Sequence, residues 1–281
     1  MGTLDNKVAL ITGAGQGVGQ GIAFALAAEG AKIAVTGRTE AKLEVTCEEI
    51  ERRGGTALAV RCDVKDPVSL EACVETVVGQ LGGLQILVNN AQEVPLGRLL
   101  SVTDSAFDAG WQSGPMATFR LMKLCYPHLK GDGVIINLAT SAAKRWDASG
   151  YGAYAAVKEA IRSLTRAAAC EWGPDGIRCN AILPHALSPG LKGWMEKNPQ
   201  EAAAFVATIP QKRVGAGARR EKPGPLFQAP AVFLHRCRFR TTPVFLPWPD
   251  LSNIDIFRMA PCHLLYELPF RVHRSGFTVS R

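Results

Sequence analysis

The stretch Lys7-Val8-Ala9-Leu10-Ile11-Thr12-Gly13-Ala14-Gly15-Gln16-Gly17-Val18-Gly19 decides the fold. Residues 7–12 form an apolar, β-branched run of strand length, and the alternating glycines after it end that run at once. An amphipathic helical pattern then occupies residues 17–29. Glycines let a strand-to-helix turn take left-handed backbone angles and let the main chain come close to a pyrophosphate. The helix N-terminus adds free N–H groups and the positive end of a dipole. A tight turn without a ligand is the plain alternative, but the position between a strand and a helix argues for a dinucleotide. Thr12, Gly13, Gln16, Gly17, Val18 and Gly19 are the candidate contacts of this loop.

Outward from the loop, short apolar runs alternate with amphipathic stretches. The pattern predicts strands at 32–36, 57–61, 85–88, 134–138 and 178–182. It predicts helices at 40–53, 67–80, 104–129 (with a break at Gly114-Pro115) and 151–172, and a helical excursion over 193–207. This alternation is the mark of an α/β, doubly wound parallel sheet with helices on both faces. Asp63 and Val64 close the third strand, where a carboxylate can accept from an adenine amine; alone, such an aspartate is more often a turn or cap residue. At the end of the second strand, Gly37-Arg38-Thr39 offers an arginine where a carboxylate would select the ribose 2′-hydroxyl. Arg38 therefore points to NADP, with NAD as the alternative, unless it is simply a solvated arginine.

A second constellation lies further along. Tyr154 and Lys158 stand four apart on a predicted helix and so share a face, with Ser141 thirteen residues before the tyrosine. An ammonium beside a phenol is expected to lower a pKa that starts near ~10, which would equip Tyr154 for proton transfer to or from an alcohol or carbonyl oxygen. Tyr151 is a rival phenol, but the residue four on is Ala155.

Taken together, Thr12-Gly13-x-x-x-Gly17-x-Gly19, Asp63, Asn89-Asn90-Ala91, Ser141, Tyr154-x-x-x-Lys158 and Ile177-Arg178-Cys179-Asn180 resemble the short-chain dehydrogenase/reductase superfamily over residues 5–215. The resemblance implies a Rossmann-type domain binding NAD(H) or NADP(H), and hydride transfer between the nicotinamide and a carbonyl or alcohol. It implies Tyr154 as acid/base, Lys158 on the nicotinamide ribose, Ser141 on the substrate oxygen, Asn90 beneath the cofactor, Ala91 on its adenosine side and Pro184 in the loop bordering the carboxamide. It also implies a homodimer or homotetramer built through the helices at 104–129 and 151–172.

Several positions depart from that pattern. Gln92 stands where the family reads glycine after Asn-Asn-Ala, and His185 where it reads glycine after Pro184. Gly114 falls where a family asparagine often anchors a water of the proton relay; Ser113 and Gln112 are the candidate substitutes. After Gly215 the expected acidic helix and seventh strand give way to a basic, proline-rich stretch, within which residues 231–234 only weakly echo the expected helix. Residues 216–281 carry a net charge of +6 and eight prolines, whereas the first 215 residues are nearly neutral at +1. The pattern therefore divides the chain into a catalytic body, 1–215, and an atypical tail, 216–281. Three readings of the tail stand: a replaced or frame-shifted C-terminus, a partner-binding segment, or an adventitious disordered one. A body impaired by that tail, a dinucleotide-binding remnant, is the alternative to an active enzyme.

The remaining features exclude more than they specify. Hydrophobic content of 47% against 20% charged residues suits a globular domain with a sizeable core. No run of eighteen apolar residues and no signal-peptide pattern are present, and the eight cysteines include no C-x2-C pair or other metal-ligand spacing. The expectations are a reduced, cytoplasmic protein without bound metal, without nucleic-acid or membrane partners, acting on a small carbonyl or alcohol substrate. The substrate would be set by residues 142–150 and 186–209, where Trp146, Leu191, Trp194, Met195 and Phe205 favour a moderately apolar ligand.

Overall fold

The computed structural model describes residues 2–144, 150–184, 186–209, 212–215 and the backbone of 232–234. Six parallel strands form the body of one sheet: β1 (Val8–Thr12), β2 (Lys32–Gly37), β3 (Thr56–Arg61), β4 (Ile86–Asn89), β5 (Val134–Leu138) and β6 (Arg178–Pro184). Around them run α1 (Gly17–Ala28), α2 (Glu40–Arg52), α3 (Pro67–Leu81), α4 (Asp104–Trp111), α5 (Ala117–Leu129), α6 (Gly152–Trp172), α7 (Pro189–Lys197) and α8 (Pro199–Thr208). The strand order is β3-β2-β1-β4-β5-β6, closed by β7 (Val232–Leu234). The chain thus winds outward from β1 in both directions, and the crevice between the ends of β1 and β4 is the topological switch point where α/β sheets bind ligands. The Rossmann-type architecture read from the sequence is the one observed.

Alternation along the strands builds two cores. Val8 and Leu10 of β1 join Leu87, Ile135 and the apolar faces of α3 and α5. Ala9 and Ile11 point the other way, into Ile33, Val35, Val88, α1 and α2. Strands covered on both faces read as continuous apolar runs, which is why all five residues of β1 are buried. A buried polar ladder crosses this interior: Asn89 Nδ2 donates to Asn137 Oδ1 at 2.8 Å, and Asn137 Nδ2 to Thr165 Oγ1 at 2.9 Å. The ladder ties β4 to β5 and both to α6.

Three elements differ from expectation. The helix over 104–129 is not broken at Gly114-Pro115 but widens into a π-helical turn, Gln112–Met116. Pro115 has no N–H for the ordinary bond to the Trp111 carbonyl, and a wider turn absorbs the loss without ending the helix. The excursion after β6 is two helices rather than one, because Pro199 opens α8 at its first turn. Of the 231–234 run, the described residues Val232–Leu234 form a strand, not a helical turn. They pair antiparallel with β6, Ile182 opposite Leu234, so the edge expected to lack its last strand carries a three-residue one. A Val-Phe-Leu triplet is too short to nucleate a helix and favours the pleated edge it meets.

Asn137→Leu should destabilise the fold by about 1–3 kcal/mol, because it leaves the Asn89 amide N–H without an acceptor in the core, while the Thr165 hydroxyl keeps its bond to Ile161 O. Urea unfolding checks this, and Asn89→Leu/Asn137→Leu should lose less than the sum of the single variants.

Candidate active site

The glycine loop is held from β4. Thr12 Oγ1 accepts from the backbone N–H groups of Asn90 and Ala91, both at 3.0 Å. In return Asn90 Nδ2 donates to the carbonyls of Thr12 (2.8 Å) and Gly13 (3.1 Å). The approach is so close that a Cβ on Gly19 would sit 2.6 Å from Gly13 O and 2.5 Å from Asn90 Nδ2. Gly13 and Gly17 take φ of 66° and 63°, the left-handed region. Helix α1 begins directly after Gln16 with no side-chain cap and no acid in its first turn. Its first N–H groups are therefore left for a ligand. By contrast α3 is capped by Asp66, whose carboxylate accepts from Val68 N.

A cleft of about 500 Å³ runs from this loop to the far end of β5 and β6. Gly13, Gln16, Gly17 and Val18 form its floor, with Thr12 and Gly19 buried just beneath. Asp63, Val64, Asn90 and Ala91 form the middle wall, and Tyr154, Lys158 and Pro184 the inner end. His185 and the 145–149 part of the expected substrate loop lie outside the described residues. Trp194 of α7 packs edge-on against Phe205 of α8, their ring centroids 6.2 Å apart. The glycine cradle, the uncapped helix and the carboxylate of Asp63 fit a nicotinamide adenine dinucleotide.

At the outer rim, Arg38 Nη1 and Lys65 Nζ both reach Glu93 Oε1, each at 3.0 Å. Two cations from the ends of β2 and β3 thus converge on one carboxylate oxygen from the loop after β4. Lys65 and Glu93 had no signal in the sequence, since their meeting depends on chain crossings far from either residue.

At the inner end, Lys158 is almost fully buried and its Nζ donates to the Leu138 carbonyl at 2.6 Å. Nζ also lies 5.7 Å from the centroid of the Tyr154 ring, over its face. The expected lowering of the tyrosine pKa is not found. Burial pushes the Tyr154 phenol up to about 12, outweighing a hydrogen bond with the Thr140 side chain that acts the other way. Burial also pulls Lys158 down to about 7, so its charge is too costly to offset the desolvation of the phenol. Tyr151 stacks obliquely on Tyr154, centroids 6.4 Å apart. Ser141 opens the short 3₁₀ turn Ser141–Lys144 next to Thr140. Thr140 was missed in the sequence, because spacing counted back from Tyr154 selects Ser141, whereas the contact is set by the exit of β5.

Neither proposed substitute at the π-helical turn offers a free group to the cleft. Ser113 Oγ donates to Ala109 O at 2.7 Å and accepts from Glu93 N at 2.9 Å. Gln112 Nε2 turns outward to Asp108.

Comparisons agree with this geometry. Residues 13–219 match the family described as enoyl-(acyl carrier protein) reductase. The 12α-hydroxysteroid dehydrogenase of a Clostridium species is 41% identical over 224 residues, covering 76% of this chain and 86% of that protein. Among solved structures, a short-chain dehydrogenase from Burkholderia cenocepacia in complex with NADP superposes with a TM-score of 0.70 at 31% identity, covering 76% of this chain and 86% of that one. A 7α-hydroxysteroid dehydrogenase complexed with NADH and 7-oxo glycochenodeoxycholic acid gives the same score and identity, over 76% and 83%. The chain belongs to the short-chain dehydrogenase/reductase superfamily. It is an oxidoreductase that transfers hydride with a nicotinamide dinucleotide, and no finding favours the remnant reading.

Burial of Lys158 has a consequence for stability. Its ammonium titrates near 7 in the folded chain and near 10.5 when exposed. Between those values the unfolded chain holds a proton that the folded one lacks, so stability rises with pH across that window. Lys158→Met should abolish this rise. Melting curves from pH 7 to pH 10 should show the wild type gaining several degrees over the variant, at about 2–4 °C per kcal/mol.

Proposed function

We propose that this chain is an NADP-preferring reductase or dehydrogenase acting on an apolar ketone or secondary alcohol, with Tyr154 as its general acid/base. The observation that carries the proposal is the joining of Tyr154, Thr140 and Lys158 at the inner end of a glycine-floored cleft. When bound, the nicotinamide supplies or accepts the hydride. In reduction, Tyr154 gives its phenolic proton to the oxygen of the carbonyl as the hydride arrives at carbon, and the phenolate so formed recovers a proton from solvent. A phenol held near 12 is fully protonated at neutral pH, the form that reduction requires. Thr140 steadies the tyrosine oxygen, Ser141 in the adjacent turn binds the substrate oxygen, and Lys158 holds the inner end of the dinucleotide.

Similarity to two hydroxysteroid dehydrogenases supports a rigid, alicyclic substrate, as do the aromatic side chains of α7 and α8. Convergence of Arg38 and Lys65 supports NADP over NAD, since a 2′-phosphate is the ligand that two adjacent cations suit. Assembly as a homodimer or homotetramer through α4, α5 and α6 is supported by Phe107, Trp111 and Phe119, all exposed on the α4–α5 surface. A reduced, cytoplasmic setting is supported by the six described cysteines, all free thiols. Among the described residues no helix is long and apolar enough to cross a membrane. The family and relatives leave most of 216–281 unmatched, in keeping with an appended segment outside the catalytic body, although Val232–Leu234 reaches back to the sheet.

Tyr154→Phe should lower turnover at least about a hundredfold while leaving NADPH binding intact, assayed with 7-oxo glycochenodeoxycholic acid and a 12-oxo steroid. Near-normal turnover would remove Tyr154 from the role. In the oxidation direction, Thr140→Val should shift the rise of kcat to higher pH, because it removes the bond that favours the phenolate. Ser141→Ala should lower kcat/KM without that shift.

Glu93 competes with a phosphate for Arg38 and Lys65. Glu93→Gln should therefore tighten NADPH binding several-fold and NADH binding little. Arg38→Ala should weaken NADPH roughly tenfold, the value of ~1.5 kcal/mol for one charge-assisted bond. Fluorescence titration with each dinucleotide reads both.

A further inference from the structure

Gln92 and Gly114 both depart from the family pattern, and they meet. A Cβ built on Gly114 would overlap the Gln92 carboxamide, with Nε2 2.9 Å and Cδ 3.0 Å away. The Gln92 side chain, arriving from the loop after β4, therefore fills the space that a side chain on the π-helical turn would occupy. Its Nε2 is anchored there by the carbonyls of Glu93 (2.7 Å) and Gly110 (2.8 Å). Those two bonds fix which end of the carboxamide is oxygen, since only an N–H can donate to both carbonyls.

Gln92 Oε1 is left buried with no hydrogen-bond partner among the described residues. Gln92 lines the same cleft as Lys158, Leu138 and Ser113, and the π-helical turn behind it packs against α6, which carries Lys158. Lys158 Nζ gives one proton to Leu138 O and, as amine or ammonium, keeps at least one more to donate. A buried acceptor without a donor and a buried lysine nitrogen thus line one cleft, and a water between them would give each a partner.

We propose that Gln92 is a positioning residue for hydride transfer: its carboxamide oxygen, standing where residue 114 has no side chain, holds a water that links the recess to the Lys158 ammonium. Gln92 and Gly114 are then one exchanged pair, with the polar group delivered from the β4 loop instead of from the helix. The inference rests on the catalytic reading of Tyr154 and Lys158 given above.

Four variants of the full chain test it: Gly114→Asn, Gln92→Met, Gln92→Gly, and Gln92→Gly/Gly114→Asn. Melting temperature, NADPH affinity and steady-state reduction of 7-oxo glycochenodeoxycholic acid are measured for each. Gly114→Asn alone should melt well below wild type, and adding Gln92→Gly should restore most of the loss. Gln92→Met, close in volume but without the oxygen, should bind NADPH as wild type does while losing about tenfold or more in kcat, with KM little changed. The exchanged double variant should recover most of that kcat, and Gln92→Gly alone should not. A Gly114→Asn protein that melts like wild type would overturn the placement of the carboxamide. Wild-type kcat in a folded Gln92→Met would overturn its role. Should Gln92→Met fail to fold, the decision passes to the double variant against Gln92→Gly: equal kcat in those two overturns the proposal. A wild-type protein that binds NADPH but reduces no ketone would count against the catalytic reading, while the melting comparison would still decide whether residues 92 and 114 share one space.

Discussion

The 2.8 Å hydrogen bond from Asn90 Nδ2 to the Thr12 carbonyl exists because only hydrogen stands on the Cα atoms of Gly13 and Gly19. With a methyl group at either position the end of β4 could not close on the loop after β1. Those two strands flank the switch point of the sheet, so the contact joins the two winding halves where the cleft opens. Folding and binding therefore make the same demand on the same residues. The left-handed turn at Gly13 and Gly17 aims the uncapped start of α1 into the cleft. Thr12 and Asn90 hold it there by main-chain and side-chain bonds. The Asn89–Asn137–Thr165 ladder, beginning one residue earlier, extends that fixed point across β5 to α6. The tyrosine and lysine on α6 are thus referred to the glycine loop through a chain of buried hydrogen bonds rather than through a surface loop.

Burial governs the chemistry at the inner end. The interior that makes an oriented dipole effective also raises the cost of any charge placed there. Tyr154 and Lys158 both move toward their neutral forms, the phenol up and the ammonium down. Charge on either therefore depends on partners: Thr140 for the tyrosine oxygen, and Leu138 O together with the recess beside Gln92 for the ammonium. Here a hydroxyl or an amide placed by the fold counts for more than the nominal pKa of the residue type. At the outer rim the balance is reversed. Arg38 is largely solvated, and its pairing with Glu93 adds at most a fraction of a kcal/mol to stability. What it does there is hold two cations in register.

Local features of this architecture were legible in the sequence, and long-range ones were not. The strand-to-helix glycine turn, the alternation of strands and helices from β1 to β6 and the four-residue spacing of Tyr154 and Lys158 are properties of short windows, and the structure places them as read. The direction of the Tyr154 pKa was misread, because a sequence shows the ammonium four residues away but not the burial around both groups. Thr140 was passed over because spacing was counted along the chain, whereas the turn after β5 brings the earlier hydroxyl onto the tyrosine. The Arg38–Glu93–Lys65 convergence spans three different loops and has no periodic signal. The last strand was missed for a different reason. Three residues carry no pattern, and their pairing with β6 depends on an edge that forms only once the rest of the sheet exists.

The same limit explains why departures from a family pattern mislead when taken one at a time. Glycine at 114 reads as the loss of an anchoring side chain, and glutamine at 92 as a separate departure from the family's glycine. In space the second fills what the first leaves open, and the oxygen so delivered lies buried against Gly114 without a partner among the described residues. A glycine within a helix costs about 1 kcal/mol against alanine, and a buried, half-satisfied carboxamide costs more. Both costs fall at one contact, and the proposed water at Oε1 would offset the second. The Pro115 that follows reinforces this. By forcing the wider turn it sets the backbone of 112–116 off the ordinary helical path, where Gly114 comes flush against the β4 loop. The polar wall of the cleft is in this way built from two segments that are far apart in the chain and become one group on folding.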